Sequence, residues 1–182
     1  MCCWQVRSSQ TARASVIEQL KRDLKITHKE KPDTYVGIRI EQDKDGMRIS
    51  QEAYVNEILK RYGMEESKGM RTPWVQRPVK RQDKDKPLEP RVMQEIIGSL
   101  TYLAGATRRD ISAAVHALAA YQSEPCEEHF KAAKRILRYL NSTKSYGIKY
   151  LRDGTGIIEG YCDADHAGDV DTRRSTSGTS SR

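Results

Sequence analysis

Four cysteines in 182 residues, Cys2, Cys3, Cys126 and Cys162, show no C-x-x-C spacing and have no companion histidines. That pattern suggests neither a zinc site nor a disulfide framework, and it suits a reducing, intracellular compartment, cytoplasmic or nuclear. No apolar run approaches the length of a membrane span, and the N-terminus lacks the hydrophobic stretch of a signal peptide, so no membrane partner is expected. Cys2 and Cys3 have neither a myristoylation signal nor an apolar flank, and they are read as incidental rather than as lipid sites.

What is present is a charged chain with enough apolar material to fold: 31% charged and 37% hydrophobic residues, with a formal net charge of +7. The length allows one domain or two small ones. A pI near 9.2 points to an anionic partner, nucleic acid before membrane, although an ordinary basic protein accounts for the charge equally well.

Residues 1–13 carry no periodicity and stay an unassigned leader. Over 14–25, Val16, Ile17, Leu20 and Leu24 predict a short amphipathic helix with Ser15 as N-cap. Residues 34–42 alternate Val36, Ile38 and Ile40 against Tyr35, Arg39 and Glu41, the pattern of a strand with one buried face. Asp43 to Gly46 reads as a turn, and Met47, Arg48 and Ile49 as the returning strand. Ser50 is the expected cap of a helix to Tyr62, with Tyr54, Val55, Ile58, Leu59 and Tyr62 on its apolar face and Gly63 as its stop. Residues 65–90, rich in proline and charge, predict a linker or long surface loop. Positive charge gathers there at Arg77, Lys80, Arg81, Lys84 and Lys86, interleaved with Asp83 and Asp85.

The chain is organised around three consecutive helices over 91–141, with joints near Thr107 and Ser123. Val92, Ile96, Ile97, Leu100 and Leu103 stripe the first, where Gly98 and Gly105 are expected to permit close helix approach. Ile111, Ala114, Val115, Leu118 and Ala119 stripe the second, with Asp110 at its start. Phe130, Ala133, Ile136, Leu137 and Leu140 stripe the third. Its opposite face holds Lys131, Lys134, Arg135 and Arg138 at i, i+3, i+4 and i+7, a basic edge that either meets phosphates or only keeps the helix solvated.

From Tyr146 onward the chain reads as strand, turn and strand: 147–151, Asp153-Gly154, then 157–163. Asp163, Asp165, Asp169 and Asp171 crowd into DADHAGDVD and invite a divalent-metal reading. A calcium loop is rejected, because Ala167 fills its fifth position and Arg174 stands where its bidentate glutamate belongs.

Four blocks occur in order: YVGIRIEQDKDGMRISQEAYVNEILKRYGM, GSLTYLA, HFKAAKRILRYL and GYCDADHAGDVDTRRSTSG. Together they resemble, over roughly residues 14–178, the Pol polyprotein of copia-type LTR retrotransposons downstream of the polymerase site. The resemblance implies an α+β fold with an N-terminal helix and β-hairpin, a three-helix thumb-like subdomain and an incomplete RNase H-like sheet. Its parts would be a palm-end and primer-grip-like segment at 14–64, a linker at 65–90, a thumb or connection at 91–145, and a partial RNase H segment at 146–182. It implies that Gly37 lies in a hairpin gripping the primer backbone, where a missing Cβ admits a phosphate; relief of packing in the strand is the alternative. Trp74 stands where the family has Met or Leu and is read as a packing anchor.

Asp163 matches the first catalytic carboxylate of RNase H, a ligand of the Mg²⁺ pair in the parent family. His166 stands at a tryptophan position and is not taken as a ligand. With one of the family's carboxylates present, tight Mg²⁺ binding is not expected. No Asp-Asp pair occurs in the chain, so primer extension is excluded for these residues. Three readings follow: a Pol fragment retaining non-specific binding to an RNA–DNA hybrid or duplex backbone, an enzyme with the reverse transcriptase and hybrid-ribonuclease activities of the parent, or a non-enzymatic module associating with other Pol or Gag chains.

Overall fold

Four helices bury their apolar faces against one another, and the hydrophobic core of the described residues lies on them and on the joint between two of them. The computed structural model describes residues 10–25, 32–76, 82, 85–152, 160–164, 175 and 177–181. It divides into two units, residues 1–33 and residues 34–182. The first holds α1 (Gln10–Asp23), which starts four residues before the expected position and places Lys21 and Arg22 in its last turn, at the negative end of the helix dipole.

The second unit opens on β1 (Thr34–Tyr35) and β2 (Ile38–Gln42), where the sequence pattern predicts a single strand. Val36 and Gly37 break it, with φ of 47° and 75°. Tyr35 pairs with Ile38, so these two residues form a tight hairpin turn of the primed type, whose twist matches its strands. Val36 is consequently exposed instead of lying on a buried face. The Tyr102 hydroxyl donates to its carbonyl.

The turn before β3 (Gly46–Ser50) forms as its composition predicts. The Asp43 carboxylate accepts the N–H groups of Asp45 at 2.8 Å and Gly46 at 2.7 Å. A fourth strand, β4 (Gly147–Leu151), pairs antiparallel with β3, from Gly46↔Leu151 to Ser50↔Gly147. The sequence alone groups it with the C-terminal segment; the structure places it in the sheet of residues 34–50. Two glycines make the pairing close: a Cβ on Gly46 would stand 2.0 Å from the Tyr150 carbonyl oxygen, and one on Gly147 2.2 Å from that of Ile49. A separate two-stranded sheet joins β5 (Gly160–Ala164) to β6 (Ser177–Ser181).

The helical layer is α2 (Glu52–Arg61), α3 (Pro90–Ala106), α4 (Ser112–Ala119, entered through a 3-10 turn at Arg109–Ile111) and α5 (Glu127–Ser142). The joints fall at 107–108 and 120–126, as the apolar periods require. No helix among the described residues is long and apolar enough to cross a membrane.

Four local expectations change. Val55, Ile58 and Leu59 of α2 enter the same core, which therefore has four helices rather than three. On α3, Met93 is buried and Val92 is 37% exposed, while Gly98 and Gly105 have no atom near the place of a Cβ, so neither sits at a close helix approach. Ser50 ends β3 and Gln51 takes the N-cap position of α2 without a side-chain cap bond; its Oε1 accepts the Thr107 hydroxyl at 2.8 Å instead.

At the joint after α3, Arg108 is 1% exposed. Its Nε donates to Asp110 Oδ1 at 3.0 Å, its Nη2 to Asp110 Oδ2 and Thr143 Oγ1 at 2.7 Å each, and its Nη1 to the Thr143 carbonyl at 3.0 Å. Tyr139 donates its hydroxyl to Asp110 Oδ2 at 2.7 Å. Burial by itself would raise the Asp110 carboxyl, but the hydrogen bonds from Arg108 and Tyr139 and the guanidinium charge outweigh it and hold the group below its ordinary 3.8.

A depressed folded-state pKa gives stability that is present above the unfolded value and lost as pH falls through the folded one. Asp110→Asn should therefore be less stable than wild type at neutral pH, with the gap narrowing as pH falls from about 5 downward through the lowered folded value. Urea melts across that range check this, and a constant gap would remove the linkage.

Candidate nucleic-acid interface

The start of α5 is built from residue types that sequence rules pass over. Cys126 is its extended N-cap, Glu127 and Glu128 fill the first turn, and the Cys126 N–H donates to His129 Nδ1 at 3.2 Å. Histidine does here what a glutamate does in a capping box. Spacing gave Cys126 no histidine companion, yet the helix start brings its Sγ to 3.6 Å from that ring nitrogen. Tyr121 stacks on the His129 ring at 4.7 Å. Residues 86–88 clamp the same end: Leu88 N–H donates to the Pro125 carbonyl, Glu127 N–H to that of Lys86, and Lys86 Nζ pairs with Glu127 at 3.3 Å.

Downstream, the four cations share one side of α5 but not one role. Lys131 is exposed and its Nζ lies 2.6 Å from Glu128 Oε1, a hydrogen bond that raises its ammonium above the ordinary range. Lys134 is exposed, with Nζ 4.5 Å from the centre of the Phe130 ring. Arg135 and Arg138 are half-buried. Arg135 Nη2 donates to Thr72 Oγ1 at 3.0 Å, and Arg138 Nε to the Lys68 carbonyl at 2.6 Å.

Those two arginines hold down residues 65–76, the first half of the expected linker, as a strap along α5. Asn141 Nδ2 donates to the carbonyls of Glu65 and Ser67 at 3.0 and 2.8 Å, and Ser142 Oγ to that of Met70 at 2.7 Å. Gly69 lets the strap lie close, since a Cβ there would stand 2.7 Å from Ser142 Cβ. Trp74 packs against the core as an anchor, together with Met64 and Met70. The basic edge is therefore divided: Lys131 and Lys134 face solvent, while Arg135 and Arg138 are engaged by the strap, a contact between distant parts of the chain that helical spacing does not reveal. Arg77, Lys80, Arg81, Asp83 and Lys84 lie outside the described residues.

Gly37 is exposed at the β1–β2 turn, and the place of its missing Cβ is 3.2 Å from the Tyr102 hydroxyl. Its left-handed backbone and this approach by the chain's own tyrosine both account for a glycine. Asp163 is exposed on β5, opposite Gly178 of β6. Among the described residues no three acidic, histidine or cysteine side chains come together as a metal site. Asp165, His166, Asp169 and Asp171 lie outside the described residues.

This mixed α+β chain is similar, over most of its length, to retrovirus-related Pol polyproteins of transposons. It is 36% identical over 165 residues, 90% of its length, to the Pol polyprotein from transposon RE1 of Arabidopsis thaliana, of which it covers 11%. An uncharacterized mitochondrial protein of the same plant is 35% identical over 144 residues, and the chain covers 60% of it. Over 82 residues, 45% of the chain, it is 52% identical to secreted RxLR effector protein 161 of Plasmopara viticola, covering 58% of that protein. The chain thus spans less than two thirds of each. No protein-family model and no solved structure matches it.

The division of α5 has a direct test. Lys131→Gln with Lys134→Gln should leave the melting temperature nearly unchanged, as exposed charges contribute little. Arg138→Gln should destabilise by about 1 kcal/mol through loss of the strap bond. Equal melting of both variants would mean that the strap is not held by Arg138.

Proposed function

We propose that this chain is the part of a retrotransposon Pol protein, copia-type by its sequence blocks, that runs from the end of the reverse transcriptase into the start of RNase H, and that it grips nucleic-acid backbone without reading sequence. The observation that carries the proposal is the exposed pair Lys131 and Lys134 on the outer side of α5, with Arg135 and Arg138 behind them. Lys134 has a ring rather than a carboxylate beneath its ammonium, so its charge stays available to a phosphate. An RNA–DNA hybrid is the partner that the Pol relationship favours.

Fluorescence anisotropy on a hybrid, across a salt series, tests this. Replacing Lys131 and Lys134 by Gln should weaken binding and make the salt slope shallower by nearly one unit per lost contact, about 1.8 in all. Unchanged affinity and slope would remove α5 from the interface. For the nuclease reading, neither wild type nor Asp163→Asn should cleave the hybrid in Mg²⁺. Cleavage by wild type that Asp163→Asn abolishes would show that the metal site is completed by other residues or by a second chain.

A second reading, association with other Pol or Gag chains, draws on one feature. β4 is an edge of its sheet among the described residues and exposes Tyr150 and Leu151, an invitation to added strands. A monomeric mass by light scattering with nucleic acid absent, unchanged on adding a Gag chain, would set it aside.

A further inference from the structure

Between the strap and helices α4 and α5 lies a cavity of about 770 Å³. That is the size of a small-molecule site. Met70, Trp74, Leu118 and Ile136 line it, and so do all four cations of α5 together with Asp85 and Glu128. The charges do not cancel. Lys131 is paired with the exposed Glu128, while Lys134 rests on a ring, and Arg135 and Arg138 spend their bonds on a hydroxyl and a main-chain carbonyl.

Arg135 goes further: its Nε is buried and has no hydrogen-bond partner among the described residues. A buried donor on a charged group is costly to leave unmade, and it leaves this guanidinium short of partners beside the cavity. The remaining carboxylate, on Asp85, already accepts the Gln82 N–H at 2.8 Å.

We propose that this cavity binds a small amphipathic anion, with its apolar body against Met70 and Trp74 and its carboxylate, sulfonate or phosphate held by Arg135 and Lys134. The apolar lining supplies affinity, and the surplus cations select charge. The proposal rests on the cavity and does not require the chain to bind nucleic acid.

The probe is anilinonaphthalene sulfonate, followed by fluorescence, with phenylnaphthylamine as its uncharged counterpart. Wild type should bind the sulfonate saturably, one per chain, and more tightly than the uncharged dye. Arg135→Gln should weaken the sulfonate about tenfold and leave the uncharged dye alone. Thr72→Val, which removes the strap bond but keeps the cation, should leave both unchanged. Ala132→Trp, which fills the cavity from its α5 wall, should abolish binding while circular dichroism stays that of wild type. Laurate and adenosine monophosphate compete as alternative bodies for the same anionic head, and displacement by either supports the site. Non-saturable binding, equal affinity for the two dyes, loss of binding in Thr72→Val, or displacement by neither competitor would overturn it.

Discussion

The buried guanidinium of Arg108 is the constraint around which the second unit is arranged. A cation taken out of water costs several kcal/mol unless its donors are met and its charge is balanced. Here the joint after α3 provides Asp110, and the end of α5 provides Thr143 twice. The rings of Tyr139 and Tyr146 lie 5.6 and 5.5 Å from the guanidinium carbon. Satisfying one side chain therefore sets the α3–α4 corner against the last turn of α5. That last turn leads straight into β4, so the same group also decides where the chain enters the sheet beside β3.

The cavity and the strap depend on this arrangement, because they lie along the outer side of the helix whose far end the node holds. Near its start α5 is clamped by residues 86–88 and along its length by residues 65–72. A helix held at three places presents its cations in a fixed row, which suits contact with a repeating phosphate backbone. It also explains why only part of that row is available: fixing the helix uses two of the four cations.

Local periodicity made the helices, their joints and the turn at Asp43 legible, since each depends on neighbours in sequence. What it could not supply were partners. The strand 147–151 shows its period but not that its mate lies about a hundred residues earlier. Arg108 looks like one charge in a polar stretch, and nothing local marks it as buried. On α3 the buried residue of the first turn is Met93 and not Val92, which periodicity cannot distinguish because both are apolar and adjacent. The basic spacing on α5 was visible at once, whereas the commitment of Arg135 and Arg138 to residues 65–76 was not, because that contact spans more than sixty residues. Asp163 was found by its sequence block alone, and the geometry around it adds no ligand among the described residues.

The strap has a consequence for how this region tolerates change. Arg138, Asn141 and Ser142 all address main-chain carbonyls of the strap, at Lys68, Glu65, Ser67 and Met70. A carbonyl is the same whatever side chain it accompanies. The helix thus dictates the route of the strap while leaving its exposed letters, such as Glu66 and Arg71, free to drift. Substitution is confined where shape matters: at Gly69, where any Cβ collides, and at the inward-turned Met70 and Trp74. A backbone-addressed tether of this kind outlasts changes in the sequence it holds.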